Sequence, residues 1–267
     1  MTGRRLALVG LLAVVPTACM STIAGCRAAG PCDWVVTQGN FWWPAAYVPP
    51  LIIVLATAAA YTLRFGLVAV RTSRGLARLP RVAAPPSLVL TAHSAGIDRI
   101  ACVGARSPVA FCAGLLRPTV FVSEGAVEAL SEPELLAVLY HEADHARRHE
   151  PARRAVRNAA GEVFVFLPIV RWWSERQIAR AELNADAMAE RIVGRPALAG
   201  ALLAMTAPPI PLAAFVGHAE LRARRLLGMR IHEPKAPRAV WAASFVYSWL
   251  ALSLAGCLSA VVVALLP

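Results

Sequence analysis

The chain has 267 residues, of which 58% are hydrophobic and only 16% are charged, and its formal net charge at pH 7 is +11. A typical soluble domain contains about 25% charged residues, so this composition argues against an ordinary soluble protein and favours a membrane protein. Membrane topology and attraction to anionic headgroups explain the positive charge. No basic motif is interleaved with aromatic residues, so we expect no direct nucleic-acid partner.

Three stretches without charged residues are each long enough to cross a bilayer, which takes about 20 apolar residues. They are residues 6–26, 34–63 and 239–267. Arginines cluster before the first, after the second and before the third stretch, and the positive-inside rule places these clusters in the cytoplasm. The sequence therefore predicts a multi-pass protein of the plasma membrane with a cytoplasmic N-terminus and an external C-terminus. A fourth uncharged stretch, residues 197–217, is interrupted by prolines and is predicted to be a buried or half-inserted helix.

These predictions divide the chain into four parts. They are two transmembrane helices with a short outer loop (residues 1–63), a basic cytoplasmic linker (64–86), a cytoplasmic domain (87–238) and a C-terminal transmembrane helix (239–267). Near the start of the domain, short segments rich in Val, Ile and Phe are punctuated by Gly and Pro, which predicts strands. These segments are residues 87–92, 98–104, 108–114 and 118–123.

Helices follow these strands. One is predicted to begin at Ser131, because "SEPE" forms a capping box with Ser131 as the N-cap and Glu134 as its partner. Pro151 is predicted to end or kink this helix. Two further helices are expected at about 152–168 and 171–193. The predicted fold class is therefore α+β, mainly α, with a small β-sheet, embedded between transmembrane helices.

The helix that begins at Ser131 carries the motif HExxH, with His141 and His145 four residues apart and Glu142 beside the first. Residues four apart share one face of a helix, so both imidazoles can reach one metal ion, and Glu142 can act as a general base. The alternative is a solvated helix with incidental histidines. A further histidine, His149, is predicted not to bind, because three successive residues at this spacing on a straight helix cannot converge on one tetrahedral ion.

A catalytic zinc ion usually has three protein ligands, and the third is predicted in "ARAELNADAMAE". Glu182 and Asp186 are four residues apart there and share a helix face. Glu182 can complete the ligand set, while Asp186 can accept the N–H of a ligating imidazole and fix its orientation. The alternative is a surface helix with two acidic residues.

The motif HExxH followed by ExxxD resembles the gluzincin membrane proteases, and within these it is most similar to the BlaR/MecR-type antirepressor peptidases. The resemblance covers about residues 107–228. It is carried by "SPVAFCAGLLRPTVFVS", "SEPELLAVLYHEADHARRHEP", "FLPIVRWWSERQIARAELNADAMA" and "LRARRLLG". Ala143 and Asp144 depart from the apolar filler usual inside the motif, but neither is a proposed ligand.

This resemblance implies a zincin-like metallopeptidase domain over residues 87–238 that binds one Zn²⁺ per chain. It also implies an edge strand near the site, at residues 109–113 or 119–122, that pairs with extended substrate. The expected protein is a membrane zinc endopeptidase with its active site facing the cytoplasm. Its partners would be the lipid bilayer and a protein substrate such as a cytosolic transcriptional repressor.

HtpX/CAAX-type membrane proteases share HExxH with ExxxD and are the alternative family. "HAELRAR" at residues 218–224 is similar to their C-terminal His and Arg pattern. His218 is therefore a candidate donor to the oxyanion in catalysis, with Arg222 and Arg224 as further candidates. For each of them the alternative is a surface charge. Two other functions stay open. One is quality control or processing of membrane proteins by the same chemistry; the other is a non-catalytic signalling scaffold, against which the intact Glu142 argues.

Overall fold

The computed structural model describes residues 42–206, 213–229 and 235–265, with side chains described over 51–205, 220–229 and 235–255. The helices are α1 Trp42–Ala77, α2 Pro86–Ser94, α3 Glu124–Ala129, α4 Glu132–Arg147, α5 Glu150–Val163, α6 Pro168–Val193, α7 Arg195–Thr206, α8 Ala213–Leu226 and α9 Arg238–Leu265. The strands are β1 Arg81–Val82, β2 Ile100–Val103, β3 Ala110–Ala113 and β4 Thr119–Ser123. Many helices with one small sheet fit the predicted α+β class.

The chain divides into two compact units. One comprises Met1–Leu63, Val163–Trp172 and Ala236–Pro267, and the other comprises Arg64–Glu162 and Trp173–Lys235. This division follows contacts in space, whereas the four parts expected from the sequence follow chain order, and those boundaries stay a prediction. Within the first unit, the backbone N–H of Ile169 donates to the hydroxyl of Ser244 over 3.0 Å.

Two helical segments in the described part of the chain are long and apolar enough to cross a membrane. They are Leu51–Ala77, with a mean hydropathy of 1.9, and Arg238–Ala255, with a mean hydropathy of 1.2. Both coincide in part with predicted spans, while the first predicted span, residues 6–26, lies outside the described residues. Helices of this length and composition also occur in soluble cores and signal sequences, so the membrane topology stays a proposal.

The second unit contains a mixed four-stranded sheet in the order β1-β2-β4-β3. β2 and β4 are parallel, whereas β1 with β2 and β3 with β4 are antiparallel. The strands predicted within residues 98–104, 108–114 and 118–123 are confirmed. β3 lies at an edge of the sheet, and β4 lies inside it between β2 and β3.

The strand predicted at residues 87–92 is wrong, because this segment belongs to helix α2. Leu88 and Ala92, four residues apart, are fully buried on one face of that helix. Pro86 occupies its first turn, where the missing N–H leaves no hydrogen bond unmade. A short apolar run fits a strand and a buried helix equally well in sequence.

Helix α4 runs through the core of the second unit and packs against β3, β4 and α7. The helix starts as predicted. The carboxylate of Glu134 accepts one hydrogen bond from the backbone N–H of Ser131 over 2.8 Å and another from the Ser131 hydroxyl over 2.7 Å. Gly200 on α7 faces the same carboxylate so closely that a Cβ there would collide with it. The fully buried core side chains include Leu88, Val120, Val122 and Leu139. The HExxH motif therefore lies on a helix that is fixed on several sides.

Helix α4 ends before the predicted break at Pro151. Its last residue is Arg147, and His149 adopts a left-handed backbone conformation with φ 51°. Helix α5 then begins at Glu150, so Pro151 lies in its first turn, where proline is tolerated. Because of the left-handed backbone at His149, helix α5 does not continue along the axis of α4.

The uncharged stretch at residues 197–217 begins as helix α7. Leu198 and Ala201 are buried in the core cluster that also contains α4, so this part is the buried helix that the sequence predicts. The prolines that interrupt the stretch lie outside the described residues.

Candidate metal and catalytic site

Three predicted ligands, His141 and His145 on α4 and Glu182 on α6, come together in the second unit. Their candidate ligand atoms all lie within 4.8 Å of one another, and all three residues are buried. The two Nε2 atoms are 3.0 Å apart. Glu182 brings Oε2 within 3.4 Å of His141 Nε2 and Oε1 within 3.7 Å of His145 Nε2.

These distances fit a tetrahedral zinc ion. Bonds of about 2.0–2.1 Å at a tetrahedral angle place neighbouring ligand atoms about 3.3 Å apart. The two imidazole nitrogens are 3.0 Å apart, and each lies near a different oxygen of Glu182, at 3.4 Å and 3.7 Å. Two nitrogens and one carboxylate oxygen also form a usual donor set for catalytic zinc. Within the described part of the chain, this is the one group of three or more His, Cys, Asp or Glu side chains that are close enough together to hold a metal ion.

His149 is not part of this group. It lies beyond the end of α4 and is exposed to solvent. That His149 does not bind metal stays a prediction.

Asp186 lies directly behind one of the imidazoles. Its Oδ1 atom is 2.9 Å from His141 Nδ1, and because a carboxylate can only accept, Nδ1 must carry the proton. This hydrogen bond directs the other ring nitrogen, Nε2, toward the ligand cluster, which is the relation expected from the sequence.

Arg222 holds Asp186 from α8. Its Nε donates to Oδ2 over 2.8 Å, and its Nη2 donates to Oδ1 over 2.7 Å. Arg222 is buried, and its two hydrogen bonds fix the position of the Asp186 carboxylate. Arg224, by contrast, is largely exposed and pairs with Glu220 over 2.6 Å. Arg222 also lines a small cavity of about 30 Å³ together with His141 and Glu142. His218 lies on α8, one turn before Arg222, and its side chain is outside those described.

The buried charges shift one another's pKa values. Burial opposes a charge on His141, but hydrogen bonds to Asp186 and Glu182 outweigh it and raise the pKa of His141 to about 9. Burial likewise opposes ionisation of Glu182, yet contacts with the two histidines hold its pKa well below the usual range. Burial also opposes ionisation of Asp186, but hydrogen bonds with His141 and Arg222 outweigh it and lower the pKa of Asp186. Both carboxylates are therefore ionised at neutral pH and can serve as ligand and acceptor.

A cavity of about 210 Å³ opens onto the ligand cluster. Glu142, which is buried, lines it together with the two histidines and Glu182. The residues of strand β3, Ala110–Ala113, form part of its wall. Among the described residues β3 has a partner on one side only, so it matches the first of the two edge strands expected from the sequence. The second, at residues 119–122, is wrong, because β4 is paired on both sides.

Helix α5 supplies another part of the wall. Glu150, Arg154 and Asn158 line the cavity at successive i,i+4 positions. Sequence analysis did not identify them as site residues, because the helix has no recognisable motif. The only signal was their shared helical face, which many surface helices also show.

Cys112 on β3 also faces the cavity. Burial, helped by the negative charge of Glu142, raises the pKa of its thiol to about 12. The thiol therefore stays protonated at neutral pH, which excludes a thiolate nucleophile at this position.

Comparison with known families accords with this geometry. Residues 89–208 match the model of peptidase family M48, whereas no curated protein matches the chain. The match includes HExxH and the ExxxD segment and supports the M48 family of zincin metallopeptidases. It indicates that the protein is a metallopeptidase, and so a hydrolase. The match does not bear on the narrower BlaR/MecR-type resemblance.

Proposed function

We propose that this metallopeptidase is an integral-membrane zinc endopeptidase that faces the cytoplasm and cleaves a regulatory protein. One observation carries the proposal. The buried cluster of His141, His145 and Glu182 adjoins Glu142 in a cavity whose wall includes an edge strand. The candidate ligands, the candidate base and an edge strand for the substrate thus line one cavity.

In this proposal His141, His145 and Glu182 hold one zinc ion, and Asp186 fixes the orientation of His141. A zinc ion at such a site supplies Lewis-acid chemistry, polarising a carbonyl and lowering the pKa of water to about 7. The carboxylate of Glu182 suits a cation because a carboxylate oxygen is a usual zinc ligand.

Glu142 acts as the general base. Its carboxylate lines the cavity beside the ligands, where it takes a proton from the attacking water as the C–O bond forms. It then passes that proton to the amine nitrogen as the C–N bond breaks. We also propose that His218 contributes a donor to the oxyanion, as the sequence pattern on α8 suggests.

Strand β3 binds the substrate backbone. Its outer edge carries backbone N–H and C=O groups that are not used in pairing with β4, and an extended peptide can add to such an edge. This mode of binding selects extended segments and suits an endopeptidase.

Two apolar helices in the described residues and the three uncharged stretches in the sequence support the membrane location. The positive-inside rule, applied to the basic clusters in the sequence, supports a cytoplasmic N-terminus and a cytoplasmic peptidase domain, residues 87–238. Alkaline phosphatase fused at Ala83 should be inactive, while the same reporter fused at Pro267 should be active. An active fusion at Ala83 would reverse the proposed orientation.

The similarity of residues 107–228 to antirepressor peptidases supports a regulatory substrate. HtpX/CAAX-type processing or quality control of membrane proteins uses the same motifs and differs in substrate. A non-catalytic scaffold has little use for the base Glu142, and the family match also argues against it.

Co-expression separates these functions. Wild-type protein and Glu142→Gln are each produced with a winged-helix repressor from a neighbouring gene, or with a misfolded membrane protein, and fragments are identified by mass spectrometry. Cleavage of the repressor by the wild type alone supports the proposal. Cleavage of the membrane protein alone would identify quality control, and no cleavage of either would favour a scaffold.

A further inference from the structure

We propose that Arg154 is a catalytic residue whose guanidinium donates hydrogen bonds to the carbonyl oxygen under attack and stabilises the negative charge that develops there. This inference rests on the proposed peptidase function of the same site. It names a group on α5 that neither the HExxH motif nor the ExxxD motif contains.

The position of Arg154 carries the inference. Its side chain lines the cavity together with Glu142, His141 and His145. Its Nη2 atom is 3.2 Å from Oε1 of Glu182. The side chain remains 42% exposed, so the guanidinium is accessible to a substrate in this cavity.

The other arginines near the site are placed differently. Arg222 is buried and holds Asp186 through two nitrogens, and its Nη1 atom is 3.8 Å from Glu182 Oε2. It lines a smaller cavity of about 30 Å³, which His141 and Glu142 also line, but not the cavity that contains strand β3. Arg157 is buried and paired with Glu150. Among the described side chains that line the larger cavity, Arg154 is the one arginine or lysine.

The chemistry of a guanidinium suits this task. It carries five N–H donors in one plane and stays protonated throughout the reaction. The contact with Glu182 uses an Nη2 donor, which leaves the planar group able to serve a second acceptor. Once Glu182 shares its charge with a metal ion, its attraction for Arg154 weakens, so the guanidinium can turn toward the cavity.

Arg154 acts while water adds to the substrate carbonyl. Water adds to the carbonyl carbon and gives one proton to Glu142, while the electron pair of the C=O bond moves onto the carbonyl oxygen. Arg154 donates to that oxyanion without losing a proton. An electron pair on the oxyanion then re-forms the C=O bond, the C–N bond breaks, and the leaving amine takes the proton from Glu142.

A positioning role is the rival explanation, since Arg154 also contacts Glu182. The two roles differ in what they affect. A group that only orients Glu182 would act through metal affinity, whereas an oxyanion donor would act on a bound tetrahedral anion while the metal content stays constant.

The experiment compares Arg154→Gln, Arg154→Lys and the control Arg153→Gln. Arg153 is the preceding residue of α5 and is exposed. For each purified full-length variant we would measure zinc content, kcat and KM on a peptide substrate, and the affinity of a phosphinic peptide that mimics the tetrahedral intermediate. Cooperative thermal unfolding shows that each variant is folded.

We expect Arg154→Gln to keep its zinc and to lose about 10²–10³-fold in kcat with little change in KM. Phosphinic-peptide affinity should fall by a similar factor, Arg154→Lys should recover part of both losses, and Arg153→Gln should match the wild type. Unchanged phosphinic-peptide affinity, or a loss of zinc that parallels the loss of activity, would overturn the inference. A zinc-loaded wild type that cleaves no peptide would instead refute the proposed function itself.

Discussion

Asp186 Oδ1 lies 2.9 Å from His141 Nδ1, and Arg222 contacts both oxygens of the same carboxylate. The three residues form a buried chain that ends at a candidate ligand. Because Arg222 helps keep Asp186 ionised, the carboxylate can hold the proton on Nδ1 and leave Nε2 for the metal.

Replacing Asp186 with alanine should therefore weaken zinc binding without abolishing it. The expected loss is about 10–100-fold in affinity, measured by competition with a chelator of known affinity. Asp98→Ala, at an exposed position, is the control and should bind zinc as the wild type does. Unchanged affinity in Asp186→Ala would show that this hydrogen bond does not orient the ligand.

Replacing Glu142 with glutamine should preserve the metal site and remove the base. The amide keeps the size of the side chain but cannot take a proton, so kcat should fall by about 10²–10⁴-fold while zinc content stays at one equivalent. The exposed Glu128, changed to glutamine, provides the control. Near-wild-type peptide cleavage by Glu142→Gln would remove Glu142 from the mechanism.

Zinc binding should release a proton at neutral pH. The pKa of His141 is raised to about 9 from an ordinary value of 6.5, so without metal the ring is charged near pH 7, and a ligating nitrogen must lose that proton. The charged ring of His141 stabilises the metal-free fold. This stabilisation is fully present below pH 6.5 and is lost as the pH rises through 9.

Calorimetric titration in buffers with different ionisation enthalpies measures this release. We expect about one proton per zinc ion near pH 7 and progressively fewer at higher pH. Zinc binding without proton release near pH 7 would show that His141 is already neutral there.

His149 should be dispensable for metal binding and should accept glycine. Its φ of 51° is a conformation that glycine adopts at little cost. His149→Gly should therefore keep a full zinc equivalent and lose no stability. Arg147→Gly, which places glycine in the last turn of α4, should lose about 0.5–1 kcal/mol of unfolding free energy. A zinc-deficient His149→Gly would contradict the separation of His149 from the ligand cluster.

Local signals in the sequence predicted the parts of the fold that depend on neighbouring residues. The capping box at Ser131 and Glu134 specifies where α4 begins, and the spacing of His141 and His145 specifies a shared face. Both features follow from the geometry of the α-helix, which is the same in every protein. The segment 87–92 lacked such a signal, and its prediction as a strand was wrong.

Parts of the site that depend on distant contacts were less predictable. The sheet order, in which β4 and not β3 is internal, is set by pairing between strands that are not consecutive. Arg154 contacts Glu182 across 28 positions, and Arg222 contacts Asp186 across 36. No local pattern encodes these pairs, because they arise when α5, α6 and α8 pack together.

The central claim is that Glu182 completes a metal site with His141 and His145. Elemental analysis of purified full-length protein in detergent tests it most directly, comparing wild type, Glu182→Ala and His149→Ala. Glu190→Ala serves as a control on the same helix, since Glu190 pairs with Arg195 over 2.9 Å outside the ligand cluster. We predict about one zinc per chain in the wild type, His149→Ala and Glu190→Ala, and little in Glu182→Ala. A zinc-replete Glu182→Ala alongside a zinc-free His149→Ala would contradict the ligand set.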